Sequence, residues 1–161
     1  DYSIGLYTII QRGEVSSNLA RYDGIRYGRD RSFFGAEAKR RIMLGTFTLS
    51  KGYADKYYAK AQAIRSLYLK NFDQLFSKYD VLISPSCTKT APRFDEIEKL
   101  SPLEHYKMDI LTVGPNLAGL PHISFNIGSI NKLPIGMMAI SNLLGETKLS
   151  EFSRNFERKD F

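Results

Sequence analysis

The sequence lacks most patterns that mark secreted, membrane or metal-binding proteins. Its single cysteine, Cys87, excludes an internal disulfide framework, and no Asn-x-Ser/Thr glycosylation acceptor occurs. Charged residues interrupt every apolar run well short of the roughly 20 residues of a membrane span. Asp1 to Gln11 has neither a basic start nor a small-residue cleavage site, so no targeting peptide is expected. These absences predict a water-soluble, cytoplasmic protein without a membrane partner.

Patterns for metal, phosphate or nucleophilic chemistry are also scarce. His105, His122 and Cys87 have no metal-ligand spacing, and no glycine-rich phosphate loop occurs. Ser86–Lys89 and Ser129–Lys132 match Ser-x-x-Lys, in which a lysine one helical turn away activates a serine. Prolines flank the first motif and the second falls in a predicted hairpin loop, so neither opens a helix. We therefore predict no metal, no cofactor and no catalytic nucleophile in these residues.

The chain contains enough apolar residues to form a core, and it carries an excess of basic charge. Its 161 residues are 43% hydrophobic, which favours one globular unit. The net charge of +6 would suit an RNA or an acidic partner, but Lys39, Arg40 and Arg41 form the only basic run of three. A basic RNA-contacting or assembly module therefore remains an alternative.

The first half of the chain is predicted to be largely helical. Tyr2 to Ile10 is rich in β-formers, and Ser16 to Gly24 is typical of a loop closed by an Asp-Gly turn. From Ala36 to Tyr79, apolar residues recur at three- and four-residue steps, which predicts two or more long helices. Gly45 and Gly52 interrupt this pattern, and we expect a break or a close helix contact near Ser50 to Gly52.

The second half alternates strand and helix patterns, which predicts an α/β protein. Val81 to Ile83 indicates a buried strand, and Thr88 to Lys99 a loop. Ser101 to Glu104 is a strong helix start, with Asp109 two turns inside the helix. Further predicted elements are an antiparallel pair and a final helix with one apolar stripe. The residues of these elements are His122–Ile127, Ile135–Ile140, and Leu149, Phe152 and Phe156.

Two charged positions suit a small zwitterion. A guanidinium donates two hydrogen bonds to an α-carboxylate in a bidentate fork, and a carboxylate accepts hydrogen bonds from an α-ammonium. Arg41, or its neighbour Arg40, and Asp109 could supply these groups. From residue types alone, solvated surface charges are the better explanation, because charged side chains are common on protein surfaces.

Five blocks of the sequence carry a family resemblance: Ser16–Gly28, Lys39–Phe47, Gly52–Gln62, Asp80–Pro85 and Asn116–Pro121. In order and spacing, over nearly the whole chain, they resemble the glutaminase subunits of the tRNA-dependent amidotransferases. These subunits are a subfamily of the amidase-signature enzymes.

The resemblance implies a fold, an activity and partners. The fold is a mixed β-sheet covered by helices on both faces, of which residues 1–161 would be the C-terminal portion of one domain. The activity is glutamine hydrolysis by a lysine and two serines that lie upstream, so this portion alone is expected to be inactive. Arg41 corresponds to the residue for the glutamine α-carboxylate and Asp109 to that for the α-ammonium. The released ammonia would serve the B subunit of the amidotransferase, which uses ATP and Mg to convert Glu-tRNA(Gln), in a complex with a small C subunit.

Three departures from the subfamily's pattern affect the expected pocket. Val113-Gly114-Pro115-Asn116 moves a proline by one position, Met137-Met138 replaces the usual Leu and Gln, and Ser141 to Gly145 lacks a Gly-x-Pro-Phe pattern. A free-standing amidase acting on other carboxamides is the alternative within the same superfamily. The subfamily-specific block Ser16–Gly28 argues against it.

Overall fold

The computed structural model describes residues 2–157, which form two compact units. One, the helical unit, comprises Tyr2 and Ile4–Ser66. The other, the sheet unit, comprises Ser3 and residues 67–157 of the described chain. In the part that the structure describes, no helix is both long and apolar enough to cross a membrane.

The helical unit begins with a helix where the sequence predicted β-structure and a loop. Helix α1 spans Ser3–Leu19, so the β prediction for Tyr2 to Ile10 is wrong, and the loop prediction is wrong over Ser16–Leu19. Leu6, Ile10, Gly13 and Ser16 are all buried and recur at three- and four-residue steps. Because two of these four positions carry small or polar side chains, the helical period is hidden from a search for apolar residues.

The next helices match the prediction. Helix α2 spans Ala36–Leu49, a π-helical turn covers Ala54–Ala59, and α3 follows at Lys60–Phe76. Between them, Ser50 is extended and Gly52 has a φ of 86°, a left-handed conformation that favours glycine. The expected break near Ser50 to Gly52 is therefore confirmed.

The sheet unit is built on three antiparallel strands in the order β1-β3-β2. Strand β1 spans Val81–Pro85, β2 spans His122–Ile130 and β3 spans Leu133–Ser141. The loop between β2 and β3 consists of Asn131 and Lys132 alone, so it is shorter than the predicted hairpin loop. Both residues have positive φ. This is the backbone of a tight two-residue hairpin, whose twist matches that of the strands. The predicted antiparallel pair is confirmed.

Helices cover both faces of this sheet. On one face, Ala118 and Leu120 pack with Met138 and Ile140, and Phe72 and Phe76 of α3 lie against them. On the other, Phe125 and Ala139 pack with Leu149, and Phe152 and Phe156 complete the apolar stripe predicted for the last helix. The remaining helices are α4 (Phe94–Ile97), α5 (Pro102–Met108), α6 (Ile110–Ala118) and α7 (Glu146–Glu157). The α/β class is confirmed.

Candidate functional site

Arg41 lies in the second turn of α2, where an acidic neighbour holds it. Its Nε donates to Glu37 Oε1 at 2.9 Å, one turn earlier on the same helix. The other carboxylate oxygen of Glu37 accepts from Arg40 at 3.1 Å. The Arg41 side chain is 31% exposed and that of Arg40 57%, so Arg41 is the more enclosed of the two. Glu37 was not predicted from the sequence, although a glutamate four residues before an arginine is a recognisable helical pair.

Asp109 belongs to the sheet unit and marks the junction of α5 and α6. The predicted helix start is confirmed, since Ser101 and Glu104 form a reciprocal capping box. The expectation that Asp109 lies inside one continuous helix is wrong, because its φ of −95° and ψ of 5° break the helical path. Its carbonyl accepts from both the backbone N–H and the hydroxyl of Thr112, at 3.0 and 2.9 Å. The residue is exposed, at the start of α6.

Two of the three departures expected to disturb the pocket include well-packed positions. Met138 is fully buried in the sheet core, and Met137 packs against the cluster on the opposite face. Pro115 is buried within α6, which continues past it to Ala118 and ends at Gly119 in the left-handed conformation. The helix therefore accommodates Pro115 without ending there.

The sheet unit also contains a cavity of about 600 Å³ at the end of β1. Two hydroxyls in its wall, those of Ser86 and Ser124, are hydrogen-bonded at 3.0 Å across the middle strand. Gly136 lies beneath them, where a Cβ would come within 2.9 Å of the Ser86 hydroxyl. Lys89 lines the same cavity from the loop after β1, and Met108, the residue before Asp109, lies on its wall. The sequence predicted that Ser86 and Lys89 do not lie on a helix, and the structure agrees.

One carboxylate, that of Asp23, accepts hydrogen bonds from several backbone groups in the loop between α1 and α2. Asp23 Oδ1 accepts from the backbone N–H groups of Ile25 and Arg26, each at 2.9 Å, and of Tyr27 at 3.4 Å. These hydrogen bonds lower the pKa of Asp23 to about 2, with a smaller contribution from the Arg26 side chain. The predicted Asp-Gly turn is confirmed, with Gly24 at a φ of 76°.

Comparison with known proteins identifies the family. A family model described as Amidase matches residues 1–149. The chain belongs to the amidase family. It is 46% identical, over 95% of its own length, to the A subunit of glutamyl-tRNA(Gln) amidotransferase from Archaeoglobus fulgidus. The resemblance to this subfamily seen in the five sequence blocks is thereby confirmed.

Solved structures show the same fold. The crystal structure of the A subunit of glutamyl-tRNA(Gln) amidotransferase from Thermotoga maritima superimposes with a TM-score of 0.73 at 38% identity over 99% of this chain. A 6-aminohexanoate cyclic dimer hydrolase superimposes equally well, at 0.73, with 20% identity over 98% of this chain, a likeness of fold alone. The chain spans about a third of the length of these proteins: 36% of the Archaeoglobus relative, 32% of the Thermotoga structure and 34% of the hydrolase.

Proposed function

We propose that the chain is part of the glutamine-hydrolysing subunit of a tRNA-dependent amidotransferase. The observation that carries this proposal is the 46% identity over 95% of the chain to a relative named as the A subunit of that enzyme. A general amidase fold would not require such similarity, since the hydrolase with the same fold shares only 20% of its residues. The ammonia released would convert Glu-tRNA(Gln) to Gln-tRNA(Gln) for translation.

In this proposal, Arg41 and Asp109 recognise the two charged groups of the glutamine backbone. Arg41 takes the α-carboxylate, because a planar guanidinium can donate two parallel hydrogen bonds to it. Asp109 takes the α-ammonium, and its exposure at the junction of two helices leaves its carboxylate accessible to a ligand. Arg40 is the less suitable arginine because its side chain is 57% exposed and more strongly solvated.

The remaining chemistry belongs to other parts of the enzyme. The lysine and two serines of the family's triad are not found among these 161 residues, so we expect the chain alone not to hydrolyse glutamine. The B subunit would use ATP and Mg to activate Glu-tRNA(Gln), and the C subunit would stabilise the complex. The assembly would work in the cytoplasm, or in a mitochondrial matrix or plastid.

The test is to replace Arg41 and Asp109 singly by Ala in the intact enzyme that carries this chain. Each change should lower kcat/KM for glutamine by about a hundredfold or more, because it removes one partner of a charge-assisted contact. Activity with ammonium in place of glutamine should be unchanged, since that reaction bypasses the glutamine site.

The opposite results would separate the alternatives. Unchanged glutamine kinetics in both variants would remove the two assigned roles. Hydrolysis of simple carboxamides that survives loss of Arg41 would instead favour a free-standing amidase, which needs no α-carboxylate anchor. Size-exclusion chromatography must show that each variant still assembles, so that a kinetic loss reports on the site.

A further inference from the structure

Glu37 is the acidic group that engages the candidate substrate arginine. It precedes Arg41 by four residues on α2, and in a helix this order of acid and base brings the side chains together favourably. Glu37 Oε1 accepts from Arg41 Nε at 2.9 Å, while Oε2 accepts from Arg40 at 3.1 Å. A single carboxylate thus contacts two adjacent arginines through different oxygens.

We propose that Glu37 is a positioning residue that orients the Arg41 guanidinium for the glutamine α-carboxylate; this rests on the function proposed above. A guanidinium offers two edges for bidentate binding: one includes Nε and the other is formed by the two terminal nitrogens. Glu37 engages Nε, which belongs to the first edge. The two terminal nitrogens form a separate edge, so Glu37 and a substrate carboxylate would use different N–H donors of one guanidinium.

The physical benefit is a reduced entropy cost of binding. A long arginine side chain loses rotamer freedom when it is fixed, and an intrahelical contact that fixes it beforehand lowers this entropy cost. The pair adds little to stability, because its side chains are 46% and 31% exposed and solvent screens them. Its value is therefore expected in substrate binding rather than in folding.

Glu37 also has an opposing electrostatic effect, which makes the proposal easy to test. Its negative charge lies beside Arg41 and would repel a substrate carboxylate. If repulsion dominated, replacing Glu37 by a neutral residue would lower KM for glutamine. If positioning dominates, the same replacement raises KM, so the sign of the change decides between the two effects.

The experiment compares Glu37→Ala, Glu37→Gln and Arg40→Ala in the intact enzyme. We expect Glu37→Ala to raise KM for glutamine about tenfold with kcat changed less than twofold, since a binding contact is misaligned. Glu37→Gln keeps an oxygen that can accept from Nε and should stay within about threefold of the wild type. Arg40→Ala should leave KM unchanged, which shows that Glu37 does not act through its second partner.

A double-mutant cycle distinguishes positioning from a general structural effect. In an Arg41→Ala background, Glu37→Ala should change kcat/KM less than twofold, because the residue through which it acts is gone. A tenfold loss in both backgrounds, or a lower KM in either Glu37 variant, would overturn the inference. If Arg41→Ala itself has no effect, the proposed function fails first, and the two failures are thereby distinguished.

Discussion

The sheet unit and the helical unit bury their apolar side chains to different degrees. Two methionines illustrate the contrast: Met138 of the central strand is fully buried, whereas Met43 of α2 is 72% exposed. Both faces of the sheet are covered by helices from the same unit. In the helical unit, the large side chains of Leu44, Phe47 and Tyr53 remain exposed. The sheet unit therefore supplies its own core, and the helical unit leaves much of its apolar surface uncovered.

The largest expected effect tests this contrast directly. Met138→Ala should destabilise the intact protein by about 3 kcal/mol, because it opens a cavity in a packed core. Met43→Ala, the matched substitution on an exposed face, should change stability by less than about 0.5 kcal/mol. Denaturant unfolding of both variants measures the difference. Equal losses would break the comparison and show that the intact protein covers the α2 face around Met43.

The same contrast explains which elements could be predicted from the sequence. In the sheet unit, alternating apolar residues, the capping box at Ser101 and the aromatic stripe of α7 encode local structure and burial together. In α1, two of the four regularly spaced buried positions are Gly13 and Ser16, whose burial depends on neighbouring helices rather than on apolar character. The break at Asp109 was missed because it arises from backbone geometry that no side-chain period records.

The candidate site was predicted less completely than the fold, for a related reason. The resemblance to the family supplied Arg41 and Asp109, and the charge pattern alone could not distinguish them from surface residues. Helical spacing alone predicts the contact between Glu37 and Arg41, but only the structure shows that Glu37 pairs with Nε. Ser86 and Ser124, which line the cavity, are 38 residues apart in the sequence. Only the register of the strands brings their hydroxyls together.

Two glycine substitutions, one in each unit, compare a backbone neighbour with a side-chain neighbour. The expected loss of stability is smaller than for Met138→Ala. Gly45 of α2 is buried against α1, and a Cβ there would overlap the backbone carbonyl of Arg12. Backbone cannot rotate away, so Gly45→Ala should cost about 2 kcal/mol of unfolding free energy. Gly136→Ala in the sheet would place a Cβ 2.9 Å from Ser86 Oγ, which can rotate away, and 3.1 Å from Ser86 Cβ, which must shift slightly. We expect this change to cost about 1 kcal/mol.

Gly5→Ala is the matched control for that experiment. It lies in α1 with no atom within 4 Å of an added Cβ, and alanine favours the helix by up to about 1 kcal/mol. Thermal unfolding should therefore show a gain for Gly5→Ala and losses for the other two. A loss for Gly136→Ala as large as that for Gly45→Ala would contradict the distinction between side-chain and backbone neighbours.

The smallest expected effect concerns two carboxylates, one in each unit, whose pKa values are lowered by different causes. Backbone N–H groups lower the pKa of Asp23 to about 2. The Lys148 ammonium lies 2.6 Å from the Asp80 carboxylate and lowers the pKa of Asp80. A folded-state pKa below that of the unfolded chain stabilises the fold above about pH 4, and the contribution is lost as pH falls through the folded value. For Asp23 this loss falls between about pH 4 and pH 2.

Salt should separate the two carboxylates. Dissolved ions screen the exposed Asp80–Lys148 pair, whose side chains are 87% and 51% exposed, so about 1 M salt should raise the Asp80 pKa toward its ordinary value. The Asp23 pKa should move less, because neutral backbone donors hold its carboxylate at short range and carry no net charge to screen. NMR titration of both side-chain carboxyls at low and high salt measures the shifts. Equal shifts would mean that Arg26, rather than the backbone turn, controls Asp23.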